Sequence, residues 1–337
     1  MKKWISVLLT LCVLGSLCCG CAQEGTSNET DPPSGNLSES GIEETQVPLD
    51  IPETRYEDKQ LVILSRDDGE WSSVEIFAED GSSDSISHAV YERNDMLLQK
   101  YGVTIAEYKK TSSEHQTAVM NEVSAPFGDF QAVTTSVRVA ANMSTNGLLW
   151  DLNSDANLYL DPTKPWWDER MATGMEIDGK LFMVTGDLLT LDNDATFAIM
   201  FNKTIAEACK LPDLYDSVLN QEWTMEKSLM HSSGSVVGNP SSVEEGDDMD
   251  MVTSMLEALA CYSVNTLTKE YYEITLKTKG ARDEKSGGMI DLIIGNRVCD
   301  LAYYFGWINA VAELQGALLP GSSIGVAFEN CRMPERY

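Results

Sequence analysis

Pro165-Trp166-Trp167-Asp168 is the most unusual local sequence in this chain of 337 residues. Two adjacent indoles beside a carboxylate suit a sugar, whose C–H faces stack on rings while its hydroxyls seek charged acceptors. The alternative is a tryptophan pair that fixes a loop onto a core. Trp71 follows the apolar run Leu61–Ser65 through the loop Arg66–Trp71. In open α/β sheets, loops after strand C-termini are where ligands bind, so Trp71 stands where a ligand could meet it. A ring capping the core edge would look the same in sequence. Trp307 ends the aromatic cluster Leu301–Trp307, and Asp187 supplies a further acceptor. Trp71, Trp166, Trp167, Asp187 and Trp307 are therefore the expected ligand-facing set.

Other chemistries find no support in the residues. There is no GxSxG elbow, phosphate-cradling glycine loop, HExxH or dinucleotide fingerprint. Asp192-Asn193-Asp194 has the flavour of a calcium loop but lacks the glycine and distal glutamate of an EF-hand, so a solvated turn is expected. The three histidines, His88, His115 and His231, stand at no metal-ligand spacing. Acid pairs are abundant in so acidic a chain and give glycosidase chemistry no weight. No catalytic residue, metal or cofactor is expected.

The elements that must position these side chains are legible in part. Leu61–Ser65 reads as a buried strand, Ile86–Tyr101 as an amphipathic helix stopped by Gly102, and Val103-Thr104-Ile105 as the start of a second strand. Strand, helix, strand is a βαβ unit, which implies a parallel sheet and an α/β fold. Gly128–Val133 reads as a loop entering a strand. Leu181–Thr185 and Thr196–Phe201 read as two extended runs with turns between them, and helix-favouring residues follow at Ile205–Cys209. Thr224 is placed to cap a helix start within Glu222–Lys227. His231–Gly246 loses all periodicity, which predicts a mobile connection. Met249–Ala260 recovers a helical stripe through Val252, Met255, Leu256 and Leu259. Lys269–Lys279 and Gly288–Ile294 read as two further helices, with a break at Gly287-Gly288.

Composition bounds the setting. The formal net charge of −29 argues against nucleic acid and anionic membrane surfaces as partners. Lys2 and Lys3, the apolar run Trp4–Leu17 and the small exit that follows describe a secretory signal at residues 1–21, too short to span a bilayer as a mature helix. Leu17-Cys18-Cys19-Gly20-Cys21 resembles a bacterial lipobox, with Cys21 the expected lipidated residue and Cys19 the fallback. Ala22–Glu53 holds eight acidic residues and no Lys or Arg. It is too polar to offset chain entropy by burial, so residues 22–56 are expected to be a disordered tether. About 280 residues remain, enough for one large or two ordinary domains. Cys209, Cys261, Cys299 and Cys331 are scattered, which leaves isolated thiols or disulfides open.

A series of short stretches is similar to the extracellular solute-binding lipoproteins of carbohydrate ABC transporters, the maltose-binding-like class. They are Ala89–Asn94, Trp166–Asp168, Val184–Asp187, Phe201–Lys203, Glu222–Thr224, Tyr271–Arg282, Asp283-Glu284 and Asp300–Tyr304. Each is short; their order along the chain is what makes the resemblance specific. It implies a type II periplasmic-binding fold, with a sugar or oligosaccharide clasped between two α/β lobes, a membrane permease as partner and no enzymatic activity. It also implies that most of the second lobe is lacking, because a return helix follows Trp223–Lys227 almost at once. The expected domains are then a first lobe with hinge strand at 57–200, a second-lobe remnant and linker at 201–246, and return helices with a C-terminal segment at 247–337. A degenerate one-lobed lipoprotein without transport function is the alternative, and a surface glycoside hydrolase a more distant one.

Overall fold

The computed structural model describes residues 47–69, 72–194, 202–220, 235–281, 283–295 and 305. Within them the chain is mixed α/β around an open four-stranded sheet, as the sequence predicted.

The βαβ unit opens the fold. Strand β1 (Gln60–Arg66) buries Leu61, Ile63 and Leu64 completely. Helix α1 (Ser85–Tyr101) starts at Asp84, whose carboxylate accepts from the Ser87 N–H at 2.9 Å. It ends at Gly102, held at φ 73°, a left-handed conformation that favours a residue without Cβ. Strand β2 (Thr104–Lys110) then lies parallel to β1, with Leu61 opposite Ile105 and Leu64 opposite Tyr108. Helix α2 (Ser112–Ser124) leads to β3 (Ala132–Ser136), parallel to β1 on its other side, and α3 (Val137–Thr145) follows directly.

Four short helices come next: α4 (Glu169–Met175), α5 (Leu191–Asp194), α6 (Lys203–Ala208) and α7 (Leu214–Leu219). Strand β4 (Ser235–Gly238) completes the sheet, antiparallel to β3, in the order β2-β1-β3-β4. Helix α8 (Asp247–Ser263) carries the expected stripe, with Val252, Met255, Leu256 and Leu259 fully buried. It passes without interruption into a π-helical segment, Val264–Gly280, and α9 (Glu284–Gly295) follows.

Several expectations are corrected. The predicted mobile connection His231–Gly246 contains β4, an edge strand of the sheet whose Val236 and Val237 are nonetheless buried. Two valines between serine and glycine favour a strand but are too short a run to show a period; pairing with β3 fixes them in one. The tether predicted to run through residue 56 ends earlier, because Leu49, Ile51 and Tyr56 pack on the core and the Tyr56 N–H donates to Tyr101 O at 2.7 Å. The two helices predicted at Met249–Ala260 and Lys269–Lys279 are one continuous body. The break predicted at Gly287-Gly288 is absent: α9 runs through both glycines, its start capped by Asp283 accepting from Ser286 N–H at 2.8 Å. Leu181–Thr185 forms no regular strand; within it only Val184 makes a β-bridge, to Val237. Asp192-Asn193-Asp194 lies in the single turn of α5. Ile205–Ala208 is helical within α6 and Cys209 caps its C-terminus, while Thr196–Phe201 and Glu222–Lys227 lie outside the described residues.

Candidate functional site

The segment Pro165–Arg170, Gly186, Asp187 and Leu189 of a following turn, Asn193, and Thr268, Tyr272 and Asp291 from the π-helix and α9 line one groove of about 620 Å³. That lies within the range of small-molecule sites, roughly 300–1,000 Å³.

Its rear wall is the tryptophan pair. Lys164 and Pro165 bring the chain to a turn, with the Trp167 N–H donating to Lys164 O at 3.0 Å. The following backbone is clamped against the Gly186 turn: Asp168 N–H donates to Thr185 O at 2.8 Å and Asp187 N–H to Trp166 O at 2.9 Å. This pairing needs glycine at 186, because a Cβ there would collide with the Trp166 carbonyl oxygen. Trp166 and Trp167 are 2 % and 4 % exposed. Both indole N–H groups donate to one carboxylate, Trp166 to Glu257 Oε1 at 2.8 Å and Trp167 to Oε2 at 2.7 Å. The Asp161 N–H donates to the same Oε2 at 3.1 Å. Glu257 is itself 1 % exposed on α8, and burial pushes its carboxyl up to about 7, against the pull of the three donors.

The polar groups of the groove come from three separate parts of the chain. Asp168 caps α4, accepting from the Arg170 and Met171 N–H groups at 3.1 Å each, with the Arg170 guanidinium 3.8 Å away. Asp187 Oδ1 accepts from the Thr268 hydroxyl at 2.8 Å, which ties the turn to the π-helix. Opposite, the Tyr272 hydroxyl donates to Asp291 at 2.6 Å, and Lys277 approaches the same carboxylate at 3.2 Å. The groove thus presents carboxylates, a guanidinium, an amide and hydroxyls over an apolar backing, an arrangement suited to hydrogen-bonding a hydroxyl-rich ligand. Among the described residues no cluster of three metal-ligating side chains exists.

The expected ligand-facing set is therefore brought together in part. Trp166, Trp167 and Asp187 converge on one groove, but the two rings are spent on core packing and on Glu257, so stacking on their faces is not what this geometry provides. The loop-fixing alternative is the one the pair adopts. Trp71 and Trp307 lie outside the described residues.

Sequence reasoning missed Glu257, although a signal was available: it is the lone acid in Met255–Ala260, an otherwise apolar and fully buried run. It also missed His115, fully buried on α2. Its Nδ1 lies 3.0 Å from Thr135 Oγ1, and its Nε2 3.1 and 3.0 Å from the carbonyls of Ser65 and Lys110. This stitches together the ends of β1, β2 and β3. Burial lowers the His115 pKa, the neutral ring being the cheaper form there.

No protein-family model matches the chain, and no curated protein matches it. Solved structures do. An ABC transporter solute-binding protein from Agrobacterium vitis S4, with bound D-mannitol, is 14 % identical over 47 % of this chain, at a TM-score of 0.29. The chain spans 32 % of that protein's length. The GacH receptor of Streptomyces glaucescens, solved unliganded and with acarbose, is 9 % identical over 77 % of this chain and 92 % of its own, at 0.38. An ABC substrate-binding protein from Listeria monocytogenes in complex with cycloalternan is 11 % identical over 81 % of this chain and 97 % of its own, at 0.40. Since each TM-score lies below 0.5, the α/β assignment rests on the chain's own sheet.

Proposed function

We propose that this protein is a non-enzymatic, extracellular solute-binding lipoprotein of type II periplasmic-binding architecture. It takes a sugar or oligosaccharide and delivers it to the permease of an ABC importer, anchored to the cell membrane through lipid on Cys21. The observation that carries the reading is the groove itself. Asp168 and Arg170, Asp187 and Asn193, and Tyr272 and Asp291 converge from three chain segments over a rigid indole wall. Such convergence of hydrogen-bonding groups is what recognition of hydroxyls needs. Isothermal calorimetry against a panel of mono- and oligosaccharides tests it, with Asp187→Ala as the control. Binding that vanishes in this variant supports the groove; binding unaffected by it places the ligand elsewhere. Trp71 and Trp307 remain in the proposed ligand-facing set, tested by alanine substitution in the same assay. Metabolic lipid labelling of wild type and Cys21→Ser tests the anchor, and label persisting on the variant refutes it.

A second reading, a degenerate lipoprotein with a reduced second lobe and no transport function, is favoured by the segment 202–220. Its helix α6 buries no residue and α7 only Ser217, while Ile205, Leu211 and Leu219 are 61 %, 52 % and 57 % exposed. A wall so thin would support little closure around a ligand. A folded protein with a flat thermal-shift response across the sugar panel would favour this reading.

A further inference from the structure

We infer that Glu257 is the positioning residue of the groove: its single carboxylate locks Trp166 and Trp167 into one rigid wall, and its protonation releases that wall. The inference rests on the groove being the ligand site, whose regulation it describes.

The geometry requires an acceptor-only group. Three donors, the indoles of Trp166 and Trp167 and the Asp161 N–H, converge on two oxygens inside the core, at 2.8, 2.7 and 3.1 Å. A carboxylate accepts all three. A carboxylic acid carries a donor of its own among them, so one contact is lost or lengthened. The same carboxylate joins elements far apart in sequence, α8 on one side and the Asp161–Trp167 turn on the other. Trp166 in turn holds the groove turn through Asp187 N–H. Loosening the indoles therefore loosens the acceptor that faces the groove. Burial places the change of state near neutrality. Among the described residues, the charged and titratable groups acting around Glu257 are these. Asp161, through its like charge, favours the protonated form, with Lys164 4.0 Å from the Asp161 carboxylate. Cys261, one turn on along α8, is held neutral, its thiol pushed up to about 11 by burial first and by Glu257 second; Lys100 and Asp187 act on it as well.

The test starts without any sugar. Acrylamide quenching of tryptophan fluorescence is followed from about pH 8 to about pH 5.5 in the full chain, its Glu257→Gln variant and its Trp166→Phe and Trp167→Phe variants. Loss of one buried hydrogen bond should raise the quencher-accessible population of the pair about fivefold as the pH falls. The transition should be absent in Glu257→Gln and reduced in each phenylalanine variant. If Glu257→Gln does not fold, as far-ultraviolet circular dichroism would reveal, the wild type and the phenylalanine variants decide alone. A transition that persists undiminished in both phenylalanine variants, or no transition in the wild type, overturns the inference. Maltose affinity measured at the two pH extremes separates the two readings. A quenching transition without any sugar affinity sinks the ligand reading but keeps the positioning role. Maltose binding that is equal at both extremes, with no quenching transition, does the reverse.

Discussion

Replacing Gly186 by alanine should be the most damaging small substitution in the described fold. A Cβ at this position collides with the carbonyl oxygen of Trp166 and would sit 2.9 Å from Trp167 Cα and 3.0 Å from Trp167 Cε3. Two of the three obstacles are backbone atoms, which cannot swing away as a flexible side chain can. The Gly186 turn must therefore part from the tryptophan segment. That breaks the Asp187 N–H to Trp166 O and Asp168 N–H to Thr185 O bonds at 2.9 and 2.8 Å, a loss of about 1 kcal/mol each. Overpacking adds roughly 1–3 kcal/mol, so the expected destabilisation is about 3–5 kcal/mol. Two other glycines serve as controls. At Gly238 the nearest atom to a new Cβ is Phe182 O at 3.1 Å, so alanine there should cost about 1 kcal/mol or less. At Gly287, inside α9, nothing stands within 4 Å, and alanine should stabilise by about 0.5–1 kcal/mol through helix propensity. Urea unfolding followed by circular dichroism measures all three. Gly186→Ala within 1 kcal/mol of the wild type would refute the close backbone pairing on which the groove depends.

Two of the buried titratable groups, Glu257 and His115, should give opposite pH slopes. Glu257 binds its proton more tightly folded than unfolded, so its contribution is full below its ordinary value of 4.5 and is lost as pH rises to about 7. That is a difference of about 3 kcal/mol, absent in Glu257→Gln. His115 has its pKa lowered in the fold, so its contribution is full above 6.5 and is lost as pH falls below that value. Chemical denaturation of wild type, Glu257→Gln and His115→Asn between about pH 4.5 and 8 reads both slopes. Arg93 is fully buried, its pKa brought down to about 9 by desolvation, and its guanidinium donates to Ile76 O, Asn94 Oδ1 and Ser263 Oγ at 3.0–3.1 Å. Lysine cannot reproduce that fork, so Arg93→Lys should cost about 2–4 kcal/mol in the same denaturation assay. A variant as stable as the wild type would show that the three acceptors are satisfied otherwise.

Much of the fold was legible because it is written in local signals. The βαβ unit could be read from a run of apolar residues, a 3.6-residue stripe and one stopping glycine, and β1, α1 and β2 follow it closely. The stripe of α8 was legible for the same reason. β4 was not: two valines carry no period, and what makes them a strand is β3 beside them. The glycine pair of α9 misled because propensity suggests a break there. A capping aspartate and the contacts of Tyr272 and Lys277 with Asp291 hold the helix through it.

The site divides along the same line. Residue types marked Trp166, Trp167 and Asp187, with Trp71 and Trp307, as a ligand-facing set, and the first three line one groove. Which way the rings face could not be read there. That depends on Glu257, some ninety positions further along the chain, and a contact between elements so distant leaves no pattern in either segment. Its only trace is an acid where an apolar stripe should be unbroken. Tertiary packing alone decides whether such an acid is turned to water or buried, and here burial with three donors made it the support of the groove wall rather than a solvated charge.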